Sequence, residues 1–406
     1  MGLSYIKKNN ACSRLIYYPV KDFSPNCYLK QNVVASTPEM IQLNGYKFET
    51  HEIVTDDGYK SLAFRIPPKI HDDRKKKQPI VLEHGIQVNS EVWTWRGNRS
   101  LAFVLVNAGY DVWLVNQRDS GYTTHVKYKM SDFKFWANSL DTVATKGISA
   151  ILSTVATATS KSGSIIYIGH SRGATLAFMY AAEYPEEAQK ILRGVVALSP
   201  IVYFEPVFYM KILFQLSPVL SKIVNVLRIP VINYPVEYTA KFYQFLCTFF
   251  PYICKLIITL TSGSSSQLSP DDLLSMVSIL PVPVSLMQVL QYAQMFHSRK
   301  FQKYDYGRRG NIIKYNQEQP PLYNLTNCKL PVYMFYGNCD IFIKEKAVKR
   351  VFEELGSSEK EYFRVPSGTN TEKLKFGHND YFFSEDIEEL FYKDLFRVLD
   401  KLHSKK

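Results

Sequence analysis

Short apolar runs alternate with amphipathic stretches from about Ile80 to Ser199. Pro79-Ile-Val-Leu-Glu83 reads as a strand that stops at a tight His84-Gly85 turn. Asp111 to Val115 is a second strand, preceded by a helix-like Leu101 to Asn107 that closes on Gly109. Ser164-Ile-Ile-Tyr-Ile168 and Val195-Val-Ala-Leu198 are a third and a fourth. These runs are continuous rather than alternating, so both faces are expected to be covered. That predicts a mostly parallel central sheet with helices on both sides.

Upstream, Tyr46 to Pro67 alternates apolar and polar residues about Asp57-Gly58, a hairpin signal. From about 202 to 320 the pattern turns helical, Pro-punctuated and rich in Phe, Tyr, Leu and Met. Most of those apolar residues are expected to serve as helix core packing. Strand grammar returns at Pro331 to Gly337 and Glu361 to Val365. A final helix, Ile387 to Leu402, carries Leu390, Phe391, Leu395, Val398 and Leu399 at helical spacing. The organisation predicted is one α/β sheet with a helical insertion. Residues 1–38 form an N-terminal extension of unknown role, 39–201 the first part of the core, 202–325 a helical cap or lid, and 326–406 the second part of the core.

Composition narrows the function classes. The 406 residues are 46% hydrophobic and 21% charged, which excludes disorder, collagen and coiled coil. A formal net charge of +12 suits nucleic acid or an anionic membrane surface. No zinc-finger, RNP-like or basic-helix pattern accompanies it, so nucleic acid is not expected. The densest run, Arg74 to Lys77, reads as a solvated loop. The six cysteines lack a C-x-x-C pair or zinc spacing, so no metal is expected and up to three disulfides are allowed. The apolar stretch Ile201 to Leu260 is broken by Lys211, Glu237, Lys241, Lys255 and five prolines. It lacks the roughly 20 uninterrupted apolar residues of a membrane span. Met1 to Asn10 lacks a signal-peptide core, which favours an intracellular site; a processed form would leave a secreted or lysosomal one open.

The chemistry begins at Gly169-His170-Ser171-Arg172-Gly173, a G-x-S-x-G nucleophile elbow. It directly follows one predicted strand and directly opens the helix Ala174 to Glu183, the context this motif requires. Asp340 stands after Tyr336-Gly337-Asn338-Cys339, at the end of a strand, where a carboxylate can orient an imidazole. The competing reading of Asp340 is an N-cap for a helix from Lys344 to Leu355. His378, in the loop Phe376-Gly-His-Asn-Asp380, precedes the last helix. The chain order Ser171, Asp340, His378 is the α/β-hydrolase order. An oxyanion hole then needs two backbone N–H donors, expected from Arg172 at a helix N-terminus and from Ile86 after His84-Gly85.

Beyond these residues, the chain resembles the acid lipase family, the group of gastric and lysosomal acid lipases within the α/β-hydrolase fold. The similar stretches run from about Met40 to the C-terminus. They include Thr55-Asp-Asp-Gly-Tyr59, Glu83-His-Gly-Ile86, Ser90-Glu-Val-Trp93, Asp111-Val-Trp-Leu-Val-Asn-Gln-Arg118, Phe301 to Gly307 and Gln319 to Asn324. The resemblance implies hydrolysis of lipid carboxylic esters, acylglycerols or sterol esters, through an acyl-enzyme on Ser171 with no cofactor. It implies a cap over the site and a disulfide in the insertion, where Cys247 and Cys254 lie, without fixing the pairing. Peripheral contact with a lipid interface fits the positive charge.

Several positions depart from the family pattern. Arg172 stands where the family has Gln, and Arg118-Asp119 where it has Arg-Gly. Thr142 to Ser149 replaces an acidic and Asp-Leu-Pro segment, and Ser367 to Lys375 is extra. The Arg172 side chain is read either as a cation bordering the oxyanion or an acidic head group, or as a group turned to solvent. The departures around Asp119 and Thr142 to Ser149 supply a second function hypothesis, an inactive lipid-binding or interaction protein on the same scaffold. Acyl transfer to an alcohol is a third, since it uses the same three residues.

Overall fold

The strands appear where the apolar runs are. The computed structural model describes residues 9–30, 36–68, 78–227, 229–265, 267–279, 282–367 and 373–404. The basic run Arg74 to Lys77 and much of the extra segment after Ser367 lie outside them. β1 (Glu49–Val54) and β2 (Tyr59–Ile66) form the antiparallel hairpin. β3 (Pro79–Glu83), β4 (Asp111–Leu114), β5 (Ile165–His170), β6 (Leu192–Leu198), β7 (Val332–Gly337) and β8 (Lys360–Val365) follow. The order across the sheet is β8-β7-β6-β5-β3-β4-β2-β1, and Thr123–His125 adds to β2. From β8 to β4 every pairing is parallel. The β4–β2 and β2–β1 pairings are antiparallel.

Burial explains the order. β3, β4, β5 and β7 are buried at every residue, as their unbroken apolar runs require, while β1 and β8 are partly exposed edges. Successive residues of β5 feed opposite cores. Ile165 and Tyr167 pack with the helix α2 (Arg172–Glu183), and Ile166 and Ile168 pack with α1 (Leu101–Asn107) and the C-terminal helix. That last helix begins with a π-helical turn, Glu388–Tyr392, before the regular Lys393–His403. Its five apolar positions are all buried.

The segment 202–325 supplies α3 (Phe208–Leu227), α4 (Val236–Phe249), α5 (Pro251–Ser262) and α6 (Leu286–Ser298). Among the described residues no helix is long and apolar enough to cross a membrane. Core packing holds for only part of this segment. Leu273, Met276, Val284 and Tyr292 are buried, but Phe208, Tyr238 and Phe242 are 78%, 74% and 60% exposed. Helical spacing fixes which residues share a face. It does not fix whether protein covers that face.

The N-terminal extension packs onto this same segment. Ala11–Cys12 pairs with Cys27–Tyr28, and Cys12 and Cys27 are disulfide-bonded. Leu15 and Tyr18 join Leu273, Leu274, Val277 and a second disulfide, Cys247–Cys254, in one apolar cluster. Tyr18 Oη donates to the Pro270 carbonyl at 2.7 Å and Tyr28 Oη to Asp271 at 2.6 Å. Cys328 and Cys339 are free thiols, so two of the three possible disulfides form.

Candidate active site

β5 ends at His170 and α2 opens at Arg172, which leaves Ser171 as the whole turn. Its backbone sits at φ 52° and ψ −112°, a conformation L-residues rarely adopt. Such a residue costs on the order of 1–3 kcal/mol and persists only where its surroundings fix it. Here Ser171 N–H donates to the Leu198 carbonyl at 2.8 Å, and Thr175 N–H donates to the Ser171 carbonyl at 3.0 Å. The two glycines are steric necessities. A Cβ on Gly169 would lie 2.6 Å from the Gly173 carbonyl carbon, and one on Gly173 would lie 2.6 Å from the Glu83 carbonyl oxygen.

Ser171 Oγ lies 2.8 Å from His378 Nε2, and His378 Nδ1 lies 2.6 Å from Asp340 Oδ2. Serine, imidazole and carboxylate thus form one continuous hydrogen-bonded line. The second carboxylate oxygen, Asp340 Oδ1, accepts from the N–H groups of Phe342 at 2.8 Å and Ile343 at 3.3 Å. The next helix is Glu345–Glu354 with Lys344 at its cap, so Asp340 is not its N-cap. His378 is held by its backbone as well as its ring. Its N–H donates to the Ser262 carbonyl at 2.6 Å, and its carbonyl accepts from His170 Nε2 at 2.8 Å. Burial pushes His170 well below the ordinary imidazole range, so it is neutral and donates from Nε2.

Arg172 follows the serine directly, and Ile86 lines the same cavity as Ser171. Gly85 lets the chain pass, since a Cβ there would come 2.9 Å from His170 Nδ1. Burial lowers His84 to about 3, and its Nε2 accepts from Gln117 N–H at 3.2 Å, fixing the turn. Among the described residues neither the Ile86 nor the Arg172 amide donates to a backbone carbonyl in a turn, loop or cap.

A cavity of about 530 Å³ opens over Ser171. Ile86, His170, Ser171 and His378 form its floor, and Met210, Leu213, Tyr243, Leu246, Ile258 and Val289 form its walls. A pocket of this size with mostly apolar walls and a few convergent polar groups suits a chain-like apolar ligand.

Residues 37–97 match the family model described as a partial α/β-hydrolase lipase region, and residues 78–220 match the model of the α/β hydrolase fold. The chain has the α/β-hydrolase fold. It is similar to mouse lipase member K, at 28% identity over 404 residues, covering 96% of this chain and 97% of the relative. Human gastric triacylglycerol lipase is 28% identical, with 91% and 92% covered. A solved monoglyceride lipase from Saccharomyces cerevisiae shares the fold at a TM-score of 0.53 and 16% identity, over 92% of this chain and all of that one. The fold and the acid-lipase resemblance expected from the sequence both hold.

In this hydrolase the Arg172 side chain takes neither of the two directions expected for it. It is fully buried, and its Nη1 pairs with Asp119 Oδ2 at 2.6 Å. The two departures from the family pattern, Gln to Arg and Gly to Asp, are therefore halves of one ion pair. Sequence reading treated them separately, although an added base and an added acid were themselves a signal. His170 and Ser262 carry no such signal. Ser262 acts through its backbone carbonyl and His170 holds a backbone carbonyl, contacts that carry no sequence signature.

Proposed function

We propose that the hydrolase cleaves lipid carboxylic esters through an acyl-enzyme on Ser171. The observation that carries the reading is the hydrogen-bonded line from Ser171 Oγ through His378 to Asp340. His378 Nε2 takes the hydroxyl proton as Oγ attacks the ester carbonyl, while Asp340 holds the ring and balances the imidazolium. The Ile86 and Arg172 amides receive the developing oxyanion. His378 then protonates the departing alcohol, and water repeats the sequence to release the acid. No cofactor enters.

In this reading 202–325 is a cap on a core made of 39–201 and 326–406, and the cavity between them holds the acyl chain. Apolar side chains supplied by both support it. Tyr238, Phe242, Phe245 and Phe249 repeat at helical spacing on the outer face of α4 and are exposed. Together with Lys241 and the +12 net charge, that face suits peripheral docking on an anionic lipid surface. The non-catalytic alternative drew on the departures around Asp119, and pairing of Asp119 with Arg172 weakens that ground.

The deciding experiment is hydrolysis of p-nitrophenyl esters of short and long acyl chains, with Ser171→Ala as control. Activity that disappears in the control is expected. Equal rates for both proteins, or none from well-folded wild type with a lipid interface supplied, would remove the reading.

A further inference from the structure

Arg172 and Asp119 are charged groups inside the core, 0% and 2% exposed. Arg172 Nη1 also donates to Gln288 Oε1 at 2.9 Å. Gln288 Nε2 in turn donates to Asn138 Oδ1 at 2.6 Å and lies 3.3 Å from Asp119 Oδ2. Gln288 and Asn138 are buried too. The network therefore joins four places: the first residue of α2, the loop after β4, the turn at Asn138, and α6 in the segment 202–325. Neither Arg172 nor Asp119 lines the acyl cavity. One member of the pair, Arg172, is itself the residue next to the nucleophile, and in the reading above its amide receives the oxyanion.

We propose that the Arg172–Asp119 pair is a positioning device, which fixes the first turn of α2 against α6 through Gln288 and so aims the Arg172 amide and Ser171. The proposal rests on the serine-hydrolase reading above. Its physical basis is the asymmetry of buried pairs. Removing one partner strands a charge that has no water to turn to, whereas neutralising both together costs little. A stranded charge one residue from Ser171 is relieved most readily by shifting the elbow, and small displacements of reacting groups are costly in rate. Because the pair does not meet the acyl chain, its loss falls on kcat and leaves KM in place.

The test compares Arg172→Gln, Asp119→Asn and the double substitution, with Arg172→Lys as a variant that keeps the charge. The readouts are the rate and the end-point of Ser171 labelling by a fluorophosphonate, and kcat and KM for p-nitrophenyl butyrate. Each single neutralisation is expected to label to completion but more than tenfold slower, with kcat lowered alike and KM within twofold. The double substitution is expected to return to within threefold of wild type. Arg172→Lys, reaching Asp119 with one ammonium, is expected to label fully at a rate threefold to tenfold below wild type. Singles within twofold of wild type overturn the proposal, as does a double no faster than the slower single. Singles that label incompletely, with the labelled fraction reacting at the wild-type rate, also overturn it, because the pair then serves folding alone. If the singles do not fold, Arg172→Lys decides: wild-type rate and kcat overturn the proposal. A folded wild type that takes no label removes the serine-hydrolase reading itself, an outcome distinct from all of these.

Discussion

The Ser262 carbonyl accepts the backbone N–H of His378 at 2.6 Å, so the end of α5 is fastened to the loop that carries the imidazole. Asn379 Nδ2 adds a bond to Ser262 Oγ at 2.8 Å. The next residue, Gly263, has φ 99°, and a Cβ there would run into the Cys339 carbonyl, beside Asp340. Gly263→Ala is therefore expected to push α5 away from both loops at once. A fall in kcat of up to about 10²-fold follows from misplacing the base, with little change in the melting temperature. Stopped-flow hydrolysis of a short ester beside a thermal melt checks this; unchanged kcat would uncouple α5 from the chemistry.

Asp340 uses one carboxylate oxygen for His378 and the other for the turn at Phe342 and Ile343. Asparagine can keep the turn through its carbonyl oxygen but presents the ring with no negative charge. Asp340→Asn is expected to fold normally and to lose kcat by about 10³–10⁴-fold. A melt and a kcat measured on the same preparation separate the two effects. A loss below tenfold would show that the imidazole does not depend on this carboxylate.

Glu83 is fully buried beneath the elbow, and its Oε2 accepts from Gln117 Nε2 at 2.8 Å. Burial raises its carboxyl from 4.5 to about 8. Between those values the folded chain holds a proton that the unfolded chain has released. Its contribution to stability is therefore fully present below about 4.5, is lost as pH rises towards 8, and then levels off. Glu83→Gln is expected to flatten the change in denaturation midpoint between pH 5 and pH 8 and to raise the midpoint at pH 8. Parallel slopes for both proteins would show that Glu83 does not carry this dependence.

Phe242 and Phe245 stand on the outer face of α4, 60% and 56% exposed. The double change Phe242→Ser/Phe245→Ser removes apolar surface that is more than half exposed. Binding to vesicles containing phosphatidylserine is expected to weaken at least fivefold, and hydrolysis of a soluble short-chain ester is expected to stay within twofold. Cosedimentation and a colorimetric assay read the two. Equal vesicle binding would assign the lipid contact to another face.

Much of this was legible beforehand. β3, β4, β5 and β7 announce themselves because short unbroken apolar runs between turn signals fit strands buried on both faces. Ser171 stood out because a strand and a helix sit directly on either side of it, and Asp340 and His378 followed from chain order. Contacts between distant segments were not legible. Tyr18 reaches Pro270 across 252 residues with no shared pattern to connect them. The outer faces of α3 and α4 misled for a related reason. Apolar residues at helical spacing signal a face that prefers to leave water, and protein is only one of the things that can cover it.

The uneven packing of 202–325 has a bearing on how the molecule fails. Local opening is least costly where few apolar side chains are buried. Among the described residues the outer helices α3 and α4 bury few of theirs, while the sheet buries nearly all, and Met210, Leu213, Tyr243 and Leu246 on those helices wall the cavity over Ser171. Warming would therefore dissolve the cavity walls while the sheet and the Ser171 turn still stand. Inactivation on heating would set in below the temperature at which the fold is lost, and cooling would restore it without any need for the sheet to refold.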